Sequence, residues 1–440
     1  MQKFSVPRGT SDILPDAIPL WEDVESKARK ILKSYGYREI RTPVYEETAL
    51  FKRSLGQASD VVNKQLLNVS ASYGGIAEYL KDSDNVISGY SLRPEGTASV
   101  VRSYLENSFD KNEPLSKFFY IGPMFRGERP QKGRSRQFHQ IGVEAIGPKS
   151  ASPYLDAEVI ALAVHLLGEF GVKKYNLKIN SLGSEEYKKK FSQFLRTALN
   201  PYKSELCEDC QTRFERNIFR VLECKNESCR KVLEKSGVYL QSDLHLPLDQ
   251  ESLQYLNDVK RILEDLGIRS EVSRHLVRGL DYYTHTVFEI TAEGLGSQDA
   301  VGAGGRYGGL VHELGGDAKT DYGAVGFALG IERILLASGA TQPVPPAIDA
   351  FVIAMDEAGQ KQAFKLVNDL RHAGISTDMN YSGGKIGSQM NRANKLNARF
   401  TLILGEEEMK SGSIAVKNMT NGAQENVELA GILAHLRKVL

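Results

Sequence analysis

Apolar residues recur at helical spacing over residues 18–35, where Trp21, Val24, Ala28, Ile31, Leu32 and Tyr35 form one stripe with charges between them. Such a stripe predicts a helix covering a core. Gly36 ends it, and residues 37–44 alternate enough for a strand interrupted by Pro43, which is tolerated at a sheet edge or where a strand meets another subunit. Two β-rich apolar runs, residues 118–125 and 138–146, flank a polar loop punctuated by Gly127, Pro130 and Gly133, the pattern of a long antiparallel hairpin. Because side chains alternate along a strand, Gln140, Gly142 and Glu144 project to one face, and the glycine leaves room there for a small ligand. His139, Ile141 and Val143 take the opposite, packing face.

Residues 153–170 place Leu155, Val159, Leu162, Leu166 and Phe170 on one helical stripe. Over residues 171–270 the pattern shifts to Lys-rich and Glu-rich helices, which predicts a small inserted domain that interrupts a sheet. Strand signals resume at residues 276–291 and 300–310, the second ending in a glycine-rich turn that either lets a backbone approach a ligand or simply closes a hairpin. Residues 323–337 switch from a small-residue strand to a helix. Residues 338–347 hold Pro343, Pro345 and Pro346, a semi-rigid linker. Beyond it, strands at 349–355, 375–380 and 399–404 alternate with helices at 357–373 and 385–396. Two more strands and a final helix follow, a compact α/β domain.

Composition adds limits. At 440 residues, 41% hydrophobic and 25% charged, the chain has room for two or three ordinary globular domains. A net charge of +1 excludes a globally basic nucleic-acid coat, so phosphate or RNA binding must come from local patches. One such patch is the hairpin loop, where Arg126, Arg129, Lys132, Arg134 and Arg136 face one acid, Glu128. Forked guanidinium donors at that density suit polyphosphate or a nucleic-acid backbone, although a charge run is also what a solvated hairpin carries. The chain shows neither a secretory leader pattern nor a long apolar run, which points to a cytosolic protein without a membrane route. Neither GxGxxG nor GxxxxGK[ST] occurs, so neither a dinucleotide fold nor a P-loop is indicated.

All four cysteines fall in one window, Cys207 and Cys210 followed by Cys224 and Cys229. CxxC is good metal-ligand spacing and CxxxxC is looser, so the choice lies between a structural zinc site and reduced, partly buried thiols. In SLRPEGT, Glu95 and Thr97 stand just before a helix starting near Ala98, able either to hold an ammonium group or to cap that helix. Arg333 sits on the first turn of a helix abutting a strand, where it enters a cleft or makes a surface salt bridge.

These stretches together resemble histidyl-tRNA synthetases, a family of class II aminoacyl-tRNA synthetases, over essentially the whole chain. LVRGLDYYTHTVFE and GAGGRYGGL are similar to the two histidine-specific signatures, FRGERPQKGRSRQFHQIGVE to motif 2, GFALGIERILL to motif 3, and the region around Pro43 to motif 1, the dimer motif. Class I signatures are absent. The resemblance implies an α+β and α/β multidomain chain. Its catalytic domain would be a six-stranded antiparallel sheet in two parts, residues 1–170 and 271–338, with a helical insertion at 171–270. A C-terminal α/β anticodon-binding domain would span 346–440. It implies a homodimer that joins L-histidine and ATP into histidyl-adenylate and passes the histidyl group to the 3′ end of tRNA(His), with Mg2+ on the phosphates.

By the same resemblance, Arg126 and Arg278 serve the α-phosphate and the substrate carboxylate, Arg333 the γ-phosphate, and Glu128 and Arg134 the adenine and triphosphate tail. Glu95 and Thr97 fall at the α-ammonium, Gln140 and Glu144 along the histidine pocket, and Tyr282 and Tyr283 complete it. The cysteine cluster is not a general family feature. Two other readings fit parts of the chain. A regulatory subunit of ATP phosphoribosyltransferase resembles the catalytic part but typically lacks the C-terminal domain present here. An uncharged-tRNA sensor domain would have lost the arginines and tyrosines, whereas Arg126, Arg278, Arg333 and Tyr283 are all present.

Overall fold

The computed structural model describes residues 4–56, 59, 61–69, 89–131, 133–222, 224, 226–240, 243–244, 248–277, 282–295, 299–339 and 348–440. The proline linker expected at 338–347 therefore lies almost wholly outside the described residues, as does Arg278. The chain divides into two compact units, one of residues 1–12 and 21–340, the other of residues 13–20 and 341–440.

The large unit is built on one sheet. Its strands in chain order are β1 (Arg38–Glu39), β2 (Ser116–Phe125), β3 (Gln137–Pro148), β4 (Tyr175–Ser181), β5 (Glu271–Val272), β6 (Thr284–Ala292), β7 (Ala300–Arg306) and β8 (Tyr322–Gly330). They lie in the order β1-β2-β3-β8-β7-β6-β4-β5. The inner six pair antiparallel throughout, as the family resemblance implies, and the two short outer strands add parallel edges. Phe119, Met124, Ile141, Val143, Ile179, Phe288 and Leu329 from this sheet are fully buried. Helices α1 (Ile18–Ser34), α2 (Thr97–Glu106) and α3 (Pro153–Glu169) contribute Leu32, Val100 and Leu162 to the same core.

Three expectations are corrected. Residues 37–44 are not one strand: β1 stops at Glu39, and Tyr45–Glu47 joins a separate ladder with Tyr90–Leu92. Pro43 has no N–H to give a ladder, and the carbonyls of Thr42 and Pro43 accept instead from Arg93 Nη1 at 2.9 and 3.4 Å. Residues 175–181, assigned to the insertion, are strand β4 of the main sheet, paired along its length with β6. Its sequence YNLKINS alternates weakly between lysine-rich neighbours, so composition concealed it. The glycines after β7 do not form a plain turn, because Gly308–Glu313 is a short helix.

Arg306, at the end of β7, is buried and forms an ion pair with buried Asp156 of α3 at 2.8 Å, with its Nε also 2.9 Å from the Tyr255 hydroxyl. This fixes the chain immediately before Tyr307.

The smaller unit carries a five-stranded sheet from Ala350–Ala354, Thr377–Met379, Phe400–Leu404, Ser413–Asn418 and Gln424–Glu428, in the order second, first, third, fourth, fifth. Helices Glu357–His372, Ile386–Lys395 and Ile432–Val439 accompany it, as the alternating pattern predicts. No helix among the described residues is long and apolar enough to cross a membrane.

Candidate active site

A cavity of about 520 Å3 opens on the face of the sheet that carries Gln140, Gly142 and Glu144. Of the expected site residues, Glu95, Thr97, Arg126, Glu128, Arg134, Gln140, Glu144, Tyr282, Tyr283 and Arg333 all line it. The alternation of β3 is as read from the sequence, since Ile141 and Val143 are buried on the other side.

Its floor is made by large side chains set opposite glycines. In the β2–β3 ladder Tyr120 pairs with Gly142, and in β3–β8 Glu144 pairs with Gly326. A Cβ at Gly142 would come within 2.1 Å of the Tyr120 ring, and one at Gly326 within 2.1 Å of Glu144 Oε2. Both glycines are therefore required by the neighbour across the ladder. Glu144 is 1% exposed. Its Oε1 accepts from the Thr97 hydroxyl at 2.7 Å and the Tyr120 hydroxyl at 3.4 Å, and its Oε2 accepts from the Tyr307 hydroxyl. Burial pushes the Glu144 carboxyl up to about 8, the hydroxyl donors working against that shift and the nearby Glu95 with it.

Glu95 fills one of the two roles its sequence position allows. Its carboxylate accepts the backbone N–H groups of Thr97 at 2.7 Å and Ala98 at 3.0 Å, capping α2. A carboxylate has about four acceptor sites, so capping leaves capacity toward the cavity. Burial raises the Glu95 pKa, and the two N–H bonds and Arg126 oppose the rise.

Arg126 is held from behind. Its Nε donates to the Pro94 carbonyl at 2.9 Å and its guanidinium lies 5.2 Å from the centroid of the Phe138 ring. Burial lowers its pKa while Glu128 and Glu95 raise it, and an arginine stays charged through such a shift. Across the loop, Arg134 Nη1 reaches Glu128 Oε2 at 3.4 Å. The basic loop is not one cradle: Arg136 is turned to the carbonyls of Arg8 and Glu128, leaving Arg126 and Arg134 in the cavity.

The helix after β8, α4 (Ile331–Ser338), supplies two groups with different tasks. Both oxygens of Glu332 accept the backbone N–H of His139 at 2.9 and 3.0 Å, tying the helix to β3. Arg333 lines the cavity, its pKa lowered first by burial and then by Arg134. At the far wall the Tyr282 ring stacks obliquely on Tyr283 at 4.6 Å and meets Tyr307 edge-on at 5.8 Å. Gln140 Oε1 is buried in the cavity wall with no hydrogen-bond partner among the described residues.

Sequence reasoning missed Tyr120, Tyr307, Arg213 and Arg220, all of which line the cavity. Tyr120 was signalled by the glycine opposite it and Tyr307 by glycine pairs on either side. The two arginines, from the cysteine-bearing segment, had no sequence signal.

A six-stranded antiparallel sheet whose first hairpin brings arginines to a cavity, with a helix after the last strand adding another, is the fold of class II aminoacyl-tRNA synthetase catalytic domains. The comparisons agree. Residues 9–334 match the family model described as histidyl-tRNA synthetase, and residues 349–439 match that of an anticodon binding domain. The chain belongs to the histidyl-tRNA synthetase family. It is similar to the histidine–tRNA ligase of Halothermothrix orenii, 41% identical with 99% of each chain covered, and to that of a Geobacillus strain, 44% identical with 99% of each covered. Among solved structures it resembles apo S. aureus histidyl-tRNA synthetase, with a TM-score of 0.76 and 35% identity, covering 99% of this chain and 100% of that one.

Proposed function

We propose that this chain joins L-histidine to ATP, releasing diphosphate, and transfers the histidyl group from the adenylate to the 3′ end of tRNA(His). The observation that carries the reading is the cavity itself, which holds a buried carboxyl group ringed by hydroxyls together with two arginines of the hairpin loop and one of the helix after the last strand. An imidazole needs an acceptor for its N–H, and a triphosphate needs cations.

In this reading Glu144 accepts the imidazole N–H while Tyr283 faces its other nitrogen. Glu95 and Thr97 receive the α-ammonium, and Gln140 lines the pocket with Glu144. The substrate carboxylate is already ionised, so its oxygen attacks the α-phosphorus and the bond to diphosphate breaks without a general base. Arg126 neutralises charge at that phosphorus, with Arg278 assigned the same task by the family resemblance. Arg333 and Arg134 hold the outer phosphates and Glu128 the adenine side. Mg2+ would accompany the phosphates, and a structural zinc ion would belong to the four cysteines.

The chain matches its relatives over their whole length and carries the anticodon-binding module, which favours this reading over the regulatory subunit. Domains divide in this account at the 338–347 linker, with the smaller unit binding the anticodon end of the tRNA. The dimer is assigned to the region around Pro43, and the free thiols suit the reducing cytosol. The two-unit arrangement is tested by removing residues 348–440. Histidine-dependent adenylate formation is expected to persist in the folded truncation while charging of tRNA falls. Equal loss of both activities would contradict the division of labour.

A further inference from the structure

The four cysteines take no part in the chemistry above. Cys207 precedes and Cys210 lies within helix Glu208–Arg216, and Cys224 and Cys229 follow, the latter in helix Glu227–Lys235. None forms a disulfide, yet their four sulfurs lie within 4.8 Å of one another, and Cys207 Sγ stands 3.9 Å from Cys224 Sγ. Four thiolates about 2.3 Å from a tetrahedral zinc ion sit about 3.8 Å apart, whereas a disulfide needs about 2.05 Å. The spacing fits a single ion and leaves no room among the sulfurs for a multi-iron cluster. Backbone N–H groups also point at the sulfurs, Cys207 N to Cys229 Sγ at 3.2 Å and Asn226 N to Cys224 Sγ at 3.5 Å. Such donors favour sulfur carrying charge.

The segment between the cysteine pairs is the one that reaches the cavity. Arg213 lies one helical turn beyond Cys210. Arg220 lies in the 3-10 turn Ile218–Val221, whose last carbonyl accepts the Cys224 N–H at 3.1 Å. Arg213 Nη1 is 3.4 Å from the Arg220 carbonyl, and both side chains line the cavity with Arg126, Arg134 and Arg333. Closing the chain between Cys210 and Cys224 through a metal would fix the segment that carries both guanidiniums and remove the loop's freedom to withdraw them.

We propose that Cys207, Cys210, Cys224 and Cys229 bind one zinc ion, and that this tetrathiolate clasp holds Arg213 and Arg220 in the catalytic cavity as a phosphate-binding pair. The cysteines and the arginines thus act as one unit: the former position, the latter touch the ligand. The phosphate comes either from ATP or from the 3′-terminal phosphodiester of the tRNA. The second half of the proposal rests on reading the cavity as the ATP site; the metal half does not.

The test uses the full-length chain. Elemental analysis is expected to give one zinc per chain, and cobalt substitution the visible absorption of a tetrahedral thiolate site, both independent of catalysis. Releasing the metal with a thiol-binding mercurial, and restoring it by thiol treatment with zinc, is expected to raise and then recover the KM for ATP in pyrophosphate exchange by about 10-fold, with the KM for histidine little changed. An Arg213→Gln/Arg220→Gln variant, its thiols intact, is expected to keep its zinc and reproduce the KM shift. A shift confined to the tRNA KM in charging would place the phosphate on the tRNA terminus and equally support the pair. A protein without stoichiometric zinc overturns the metal site. Full zinc with every KM unmoved, both on metal release and in the arginine variant, overturns the clasp. An absence of exchange in the intact zinc-loaded chain would count against the proposed activity instead.

Discussion

Arg126→Ala is expected to lower histidine-dependent pyrophosphate exchange by about 100- to 1000-fold, the scale seen when a preorganised donor is removed from developing charge. The size follows from how the side chain is held. Its Nε is spent on the Pro94 carbonyl and its plane rests over Phe138, so the guanidinium is aimed before any substrate arrives. A preorganised cation needs no reorientation at the moment the α-phosphorus gains charge, and the burial of Arg126 leaves its field weakly screened. Arg126→Lys keeps the charge but loses the fork and the anchoring Nε–H, and should recover only part of the rate. Exchange near the unmodified rate in a folded Arg126→Ala protein would show that the residue does not touch the reacting phosphate.

Glu144→Ala is expected to raise the histidine requirement by about 10- to 100-fold, the equivalent of roughly 1.5 to 3 kcal/mol for leaving the buried imidazole N–H without its acceptor, with the ATP requirement much less changed. The structure sharpens the reason for selectivity. Three hydroxyls already converge on this carboxylate, and none of them is an imidazole. An apolar amino acid would leave a buried acid without the ligand partner the cavity is shaped for, and polar pockets reject such ligands strongly.

The same group should be visible in stability. An unfolded glutamate ionises near 4.5, whereas burial keeps the Glu144 proton on to about 8. A raised folded pKa contributes stability that is fully present below 4.5 and is lost as pH rises through 8. The ligand-free protein should therefore lose stability across that window, and Glu144→Gln should flatten this part of the slope in denaturant titrations. Calorimetry showing unaltered histidine affinity for folded Glu144→Ala would mean that the carboxylate does not read the imidazole.

Much of this was legible in the sequence, for reasons that differ by element. The β2–β3 hairpin and α1 and α3 were readable because their apolar periods are long and unbroken, so local pattern and tertiary burial agree. The alternation of β3 then placed Gln140 and Glu144 on the cavity side directly. Strand β4 was not readable, because it lies beside lysine-rich helices and gains its identity only from pairing with β6, more than a hundred residues later. Pro43 marked a break but not the fact that Arg93 would gather the carbonyls on either side of it. Tyr120 and Tyr307 were hidden for another reason: each is an ordinary strand or loop aromatic until its neighbour across the sheet is known to be a glycine or a glutamate.

The central claim is that this cavity activates histidine, and pyrophosphate exchange by the purified chain measures that step alone. With ATP, Mg2+ and labelled pyrophosphate, label should enter ATP when L-histidine is present and remain near background with each other proteinogenic amino acid. A folded chain that binds histidine in calorimetry yet exchanges no label would contradict the account and favour a non-catalytic binding role.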